Sequence, residues 1–342
     1  MKKPVMIIIS LMLLMGSAYF VHTTNGSEQI VESQTTHINE AVSDLITTTA
    51  YGQRAMIATN DVIHVISTNY HLPPRLVKAR VSEEYKDKES VTMNEARAII
   101  ASFEDLKFAD RVPIITYHHL LKRDENRRYR GNSLVMSVEM FEEHMKLLHE
   151  NNYTTITLDE LALFMSKQIQ LPENSIVITF DDGYLSNFEY GYPILKQYGF
   201  KATIFIITGI VRERPIAFHP NYLSFISWPE METYKDVFEY AGHTHDLHYK
   251  EGRYSHLRVK PQQSVLDDLK QSKELLDSDY FAYPYGQYSK KVIRTLEEAG
   301  YTHAFTVEPK PVTVKSDPYK IPRYMINPTT KLKRFKKYVG ID

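Results

Sequence analysis

Cysteine is absent from all 342 residues, which excludes disulfides, thiolate metal sites and cysteine nucleophiles. Any metal must therefore be held by His, Asp or Glu. Net charge is nearly absent as well: 41 basic against 42 acidic residues leave a formal charge of -1, with no global electrostatic pull toward nucleic acid. Tryptophan occurs once, against 24 tyrosines and 15 phenylalanines, a balance that fits a carbohydrate-facing surface and an aromatic core equally well. No internal repeat is visible. The length and the ordinary apolar and charged fractions suit one large core of barrel or doubly wound type plus an appendage.

One long apolar run is present. It extends from Val5 to Val21 behind Lys2 and Lys3, broken only by Ser10, Gly16 and Ser17. Such a run reads as a secretory signal or a short membrane anchor, with Gly16-Ser17-Ala18 as a candidate cleavage site. Either reading puts the rest of the chain outside the cytoplasm, secreted or held at the outer face of a bacterial membrane or wall, with membrane contact through the N-terminal segment. The expected organisation is therefore a signal or anchor over 1–24, a mostly helical N-terminal region or stalk over 25–108, and a catalytic domain over 109–342. Within the middle region, Ile38, Val42 and Leu45 fall at helical spacing. A capping box at Thr92 and Glu95 opens a helix with Ala96, Ile99, Ile100 and Phe103 on its apolar side.

From Arg111 strands and helices alternate. Val112 to Tyr117 reads as a strand leading into His118-His119. Ser137 is a plausible N-cap for a helix striped by Phe141, Met145 and Leu148, and Thr157 with Glu160 forms a second capping box. Phe188, Tyr192 and Leu195 recur at helical spacing up to Gly199, ahead of a strand over Ala202 to Ile207. Helices marked by Val265, Leu269 and Leu276 and by Val292, Ile293 and Leu296 alternate with strands over Tyr280 to Tyr283 and Thr302 to Val307. Repeated beta-alpha units of this kind predict an α/β barrel or doubly wound sheet. Near the C-terminus, Lys331, Lys333, Arg334, Lys336 and Lys337 interleave with Leu332, Phe335 and Val339. That pattern is an amphipathic helix docking its apolar stripe, with a polymer or membrane contact as the less common reading.

Two stretches carry chemistry. Ile176-Val177-Ile178-Thr179-Phe180 has the continuous apolar character of a strand buried on both faces, and it ends in Asp181-Asp182-Gly183. Adjacent carboxylates at a strand end repel each other and are costly to desolvate unless a cation or a proton relieves them. Downstream, His243-Thr244-His245-Asp246-Leu247-His248 packs three imidazoles and a carboxylate into six residues. Two His and one Asp make a three-ligand site that leaves positions open, the arrangement of a catalytic metal. Adjacent residues on an extended strand diverge, so the two aspartates need not share one role.

Thr179-Phe180-Asp181-Asp182-Gly183, His243-Thr244 ending in His248, and Phe281-Ala282-Tyr283-Pro284-Tyr285-Gly286 resemble the first three motifs of the polysaccharide deacetylases. These are also called NodB-homology or carbohydrate esterase family 4 enzymes. The resemblance spans about residues 111 to 326. It implies a distorted (β/α) barrel with about seven strands, and a divalent metal, zinc first with cobalt or nickel as substitutes, on Asp182, His243 and His248. It further implies Asp181 as general base, and Pro284 and the backbone N–H of Tyr285 on the oxyanion and substrate side. The i, i+5 histidine spacing and Tyr117-His118 resemble the poly-beta-1,6-N-acetylglucosamine N-deacetylases in particular. His245 is left out of the ligand set.

Two family features have no counterpart. No Leu-x-Ile-His-type motif follows Tyr301, and no arginine precedes Pro284. His118 is the substitute expected for the missing acid, and Arg323, in Ile321-Pro322-Arg323-Tyr324, for the cation that steadies the base at the substrate site. The function implied is metal-dependent removal of N-acetyl groups from an extracellular N-acetylglucosamine polymer. Peptidoglycan or chitooligosaccharides are the alternative substrates, and an inactive polysaccharide-binding matrix protein is the alternative of another class.

Overall fold

Inward and outward side chains alternate along buried strands, and here that alternation builds two separate apolar layers. The structure, a computed structural model, describes residues 56–82 and 84–341. The expected signal or anchor and the helical spacing at Ile38, Val42 and Leu45 lie outside the described residues. Among the described residues, no helix is long and apolar enough to cross a membrane.

The strands of the main sheet are β1 (Ile114–Tyr117), β2 (Thr154–Thr155), β3 (Ser175–Asp182), β4 (Ala202–Ile206), β5 (Phe238–Gly242), β6 (Tyr280–Ala282), β7 (His303–Phe305) and β8 (Tyr324–Met325). Their spatial order is β7-β6-β5-β4-β3-β1-β8, with β2 paired to the start of β3, and every neighbouring pair is parallel. Seven strands thus curl into a half-barrel. The open side is partly drawn together by an isolated parallel bridge between Phe305 and Ile321, just ahead of β8.

Ile114, Val177, Phe205, Ala241, Ala282, Phe305 and Ile321 form the inner apolar cluster. The alternate residues Ile115, Tyr117, Ile176, Ile178, Phe180, Ile204 and Ile206 pack outward, against Phe141, Met145, Leu148 and Leu195 of the helices. By this parity Asp181 follows Val177 and Thr179 into the interior.

Helices form largely where spacing and caps predict them. Ser137 caps Val138–Glu150, accepting from the Met140 N–H, and the Thr157–Glu160 capping box opens Leu158–Met165. Helices over Gln262–Leu276, Lys290–Glu298 and Leu332–Val339 follow. The last buries Phe335 and Val339 and leaves Lys331, Lys333, Arg334 and Lys337 exposed. The single helix expected after Gly183 instead begins as a π-helical turn, Asn187–Gly191, and becomes α-helical only at Tyr192–Gln197. Pro193 is the physical reason: it has no N–H to donate and its ring would crowd a carbonyl one turn back, so the preceding turn widens. A helix over Trp228–Thr233, capped by Ser227 and Glu230, was not anticipated.

Three further helices, Thr59–Tyr70, Pro74–Arg80 and Met93–Ala101, accompany an antiparallel ribbon of Met56–Ala58 with Ser90–Thr92. They meet the N-terminal ends of the strands, where the Arg75 guanidinium donates to Glu160 and to the carbonyl of Thr155, and Leu76 joins the inner cluster. A cavity of about 600 Å³ lies at this junction, lined in part by Arg75, Phe103, Tyr153, Glu173 and Phe200. It is at the opposite end of the strands from the Asp181-Asp182 pair.

His144, fully buried, shares a 2.9 Å hydrogen bond with the Tyr117 hydroxyl and lies flat on Phe335 at 3.8 Å. Burial pushes its pKa from 6.5 down to about 4, and does the same to His119. The unfolded chain therefore takes up protons at a higher pH than the native one. The stability these rings contribute is fully present above pH 6.5 and is lost as pH falls toward about 4. The loss is on the order of 3 kcal/mol per ring. The thermal midpoint should fall across this window, and less steeply in His144→Gln, which does not titrate. An unchanged slope in that variant would refute the assignment.

Candidate active site

The site forms at the C-terminal ends of β1, β3, β5 and β6, where parallel sheets expose loop-borne chemistry. Three non-glycine residues here adopt left-handed backbone: Asp182 (φ 76°), Thr244 (φ 78°) and Tyr285 (φ 59°). For the β-branched Thr244 this is a strained conformation, of the kind retained where a site requires it.

Asp181, inward by strand parity, meets Arg323. The arginine is completely buried and enters from the open side of the half-barrel, between the Phe305–Ile321 bridge and β8. Its Nη1 and Nη2 donate to the two carboxylate oxygens of Asp181 at 2.7 and 2.8 Å. Nε donates to the Thr306 carbonyl at 3.1 Å, and Nη1 also reaches the hydroxyls of Thr116 and Thr179, both at 3.3 Å. Burial alone would raise the Asp181 pKa. The Arg323 charge, with smaller contributions from His243 and His118, outweighs burial and holds it below its ordinary value. His118, mostly buried, brings Nε2 to 4.0 Å from Asp181 Oδ2.

Asp182 turns to the other wall. Its Oδ1 is 3.5 Å from Nε2 of His243 and 3.5 Å from Nε2 of His248. The ligand atoms of all three lie within 4.8 Å of one another. His243 shares a 2.7 Å hydrogen bond between Nδ1 and the Ala282 carbonyl. A carbonyl only accepts, so Nδ1 carries a proton and Nε2 is the atom presented to Asp182. Burial, then the neighbouring His243, pushes His248 down to about 4, so its ring is neutral at neutral pH. Burial opposes ionisation of Asp182, but the His243 hydrogen bond and the surrounding histidines hold its pKa well below the ordinary range. One carboxylate with an imidazole nitrogen 3.5 Å away on each side, and all three ligand atoms within 4.8 Å, suits a zinc-type divalent ion, whose tetrahedral ligands stand roughly 3.3–3.5 Å apart.

His245 faces elsewhere: its Nδ1 is 2.9 Å from the Thr208 hydroxyl. Tyr285 occupies the turn Pro284–Gly286, whose closing hydrogen bonds are donated by Gly286 and Gln287. Its ring lies beside His248 at 4.9 Å, its hydroxyl donates to the His248 carbonyl, and Lys250 sits 4.1 Å over it. Pro284 is the buried residue of this turn. Sequence reasoning missed Tyr184, whose hydroxyl pKa is raised by burial and by the charge of Asp182, and Asp268, which accepts two amides of the His243–His248 loop. Tyr184 directly follows the Asp-Asp-Gly turn. Asp268 is a charged residue on the apolar stripe of its helix, and that mismatch was the available signal.

The polysaccharide deacetylase family model matches residues 168–304. A Bacillus subtilis protein named for the polysaccharide deacetylases, YxkH, is 32% identical over 235 residues, covering 67% of this chain and 76% of that protein. The poly-beta-1,6-N-acetyl-D-glucosamine N-deacetylase of Staphylococcus aureus is 36% identical over 201 residues, covering 56% of this chain and 68% of that enzyme. Among solved structures, IcaB from Ammonifex degensii superposes with a TM-score of 0.56 at 23% identity, covering 68% of this chain and 97% of that one. Streptococcus pyogenes deacetylase PplD superposes at 0.57 with 20% identity, covering 67% and 98%. At these identities the two structures speak to the fold. His118 and Arg323 fall outside the segment matched by the family model.

Arg323→Met would leave Asp181 buried without its counter-ion, and urea denaturation should show a loss of about 3–5 kcal/mol. Removing the carboxylate as well, in Arg323→Met/Asp181→Leu, should recover much of it. A double variant whose loss equals the sum of the two single losses would contradict the coupling.

Proposed function

Because this chain belongs to the polysaccharide deacetylases, we propose that it removes N-acetyl groups from an extracellular N-acetylglucosamine polymer, poly-beta-1,6-N-acetylglucosamine, with a divalent metal, preferably zinc. The observation that carries this reading is the convergence of Asp182, His243 and His248 beside an ionised, arginine-held Asp181. The substrate choice is supported by the similarity to the staphylococcal enzyme and by Tyr117-His118 at the end of β1. The apolar run over Val5 to Val21 supports export, secreted or anchored outside the membrane.

Asp182, His243 and His248 are the residues that would hold the metal. When bound, it polarises the acetamide carbonyl and makes the attacking water more acidic. Asp181 takes the proton from that water. Arg323 takes one bond to each of its oxygens and the Thr116 hydroxyl a further one to Oδ1, so Oδ2 keeps a second lone pair to accept with. A carboxylate of depressed pKa is a weak base, so it depends on the water being acidified. As water oxygen bonds to the carbonyl carbon, the carbonyl oxygen gains charge, and the Tyr285 backbone N–H stabilises it by about 3 kcal/mol. His118 gives a proton to the sugar nitrogen as the C–N bond breaks, yielding acetate and a free amine.

Purified protein should release acetate from poly-beta-1,6-N-acetylglucosamine in preference to chitooligosaccharides or peptidoglycan. A chelator should abolish release and added zinc or cobalt restore it. His118→Asn should lower kcat about 100-fold, the scale of a lost general acid. Full activity after metal stripping, or in Asp182→Asn, would overturn the metal assignment, and acetate from chitooligosaccharides alone would overturn the substrate.

A further inference from the structure

The two histidines of the metal reading are held by unequal means. His243 continues β5, which pairs with β4 and β6, and is fixed by Ala282. His248 hangs five residues further on, at the end of a loop that begins with the strained Thr244. Two structures grip that loop. On one side, Thr208 and Gly209 donate backbone N–H groups to the carbonyls of Thr244 (3.1 Å) and His245 (2.9 Å), and the Thr208 hydroxyl meets the His245 ring. A side chain at Gly209 would put its Cβ 2.4 Å from the His245 carbonyl oxygen, so glycine is required there. On the other side, Asp268, nearly buried on the helix Gln262–Leu276, accepts the His245 N–H at 3.0 Å on Oδ1 and the Asp246 N–H at 2.6 Å on Oδ2.

A buried carboxylate met by consecutive amides is a charge-assisted clamp, stronger than the neutral bonds opposite it. We infer that Asp268 is a positioning residue: by clamping the amides of His245 and Asp246 it holds His248 at its working separation from Asp182, and so sets the affinity of the site for a divalent metal. This rests on the metal reading of Asp182, His243 and His248. No proton transfer is asked of Asp268, and it touches neither substrate nor metal.

The test uses cobalt(II) as probe, with the full chain and three variants. Leu266→Ala, a buried neighbour on the same helix, is the control for loss of packing. Asp268→Ala should weaken cobalt binding by about 10- to 100-fold, the range seen when a partner behind a ligand is lost. In metal-free protein it should speed amide hydrogen exchange at 245–247, with Asp268→Asn, which keeps one acceptor, in between. Leu266→Ala should lower the thermal midpoint without changing cobalt affinity. Asp268 variants that bind cobalt as the parent does, or a Leu266→Ala protein that loses affinity equally, would overturn the assignment while leaving the metal reading intact. A parent protein that takes up no cobalt and no zinc would overturn both. If Asp268→Ala does not fold, Asp268→Asn carries the comparison.

Discussion

The mouth of this half-barrel depends on the ion pair between Arg323 and Asp181. A carboxylate fully buried among Thr116, Thr179 and apolar strand residues would have its pKa raised and its ionised form disfavoured if left alone. The guanidinium prevents this, and its own burial is made tolerable because its donors are met by Asp181, Thr306, Thr116 and Thr179 while its plane lies 5.0 Å over Phe205. The route by which it arrives is topological. The sheet does not close through a continuous ladder between β7 and β8, and the single bridge at Ile321 leaves the next inward-facing position, Arg323, free to reach across to β3.

Strand parity divides the remaining work. Asp181 and Asp182 are consecutive, so one enters the interior cation and the other leaves the strand toward His243 and His248, helped by the left-handed backbone at Asp182. Two like charges on adjacent residues are thereby given separate partners on opposite walls. The same device recurs at Thr244 and Tyr285, each strained beside a strand end and each held by surrounding hydrogen bonds. Backbone strain persists only where the neighbouring structure over-determines it, and long paired strands supply that rigidity here.

Much of this was legible in the residues. The fully buried run ending in Asp181-Asp182 declared a central parallel strand, and capping boxes at Thr92 and Thr157 marked helix starts that the structure reproduces. The π turn at Asn187–Gly191 was hidden because apolar spacing does not distinguish a widened turn from an α turn, although Pro193 was in plain sight. The loop clamp was hidden for a different reason. Asp268 acts through backbone amides more than 20 residues away, and backbone donors leave no mark in a sequence. His245 illustrates the converse: a histidine inside a histidine-rich motif whose ring serves Thr208, which spacing alone could not separate from a ligand.

Arg323 also explains how the chain dispenses with an arginine before Pro284. That position holds Tyr283, whose buried ring sends its hydroxyl to the Tyr319 carbonyl, so it could not also neutralise Asp181. What Asp181 requires is a positive charge with fork geometry at a given place in the interior, not at a given place in the chain. The interior is ringed by seven strands, and any of them whose inward position reaches the same level can supply it. β8 is one of the two edge strands of the sheet, where a long side chain can enter from the open side. In this chain Asp181, Asp182, His243 and His248 lie within residues 168–304, the segment the family model matches, whereas Arg323 reaches Asp181 from beyond it.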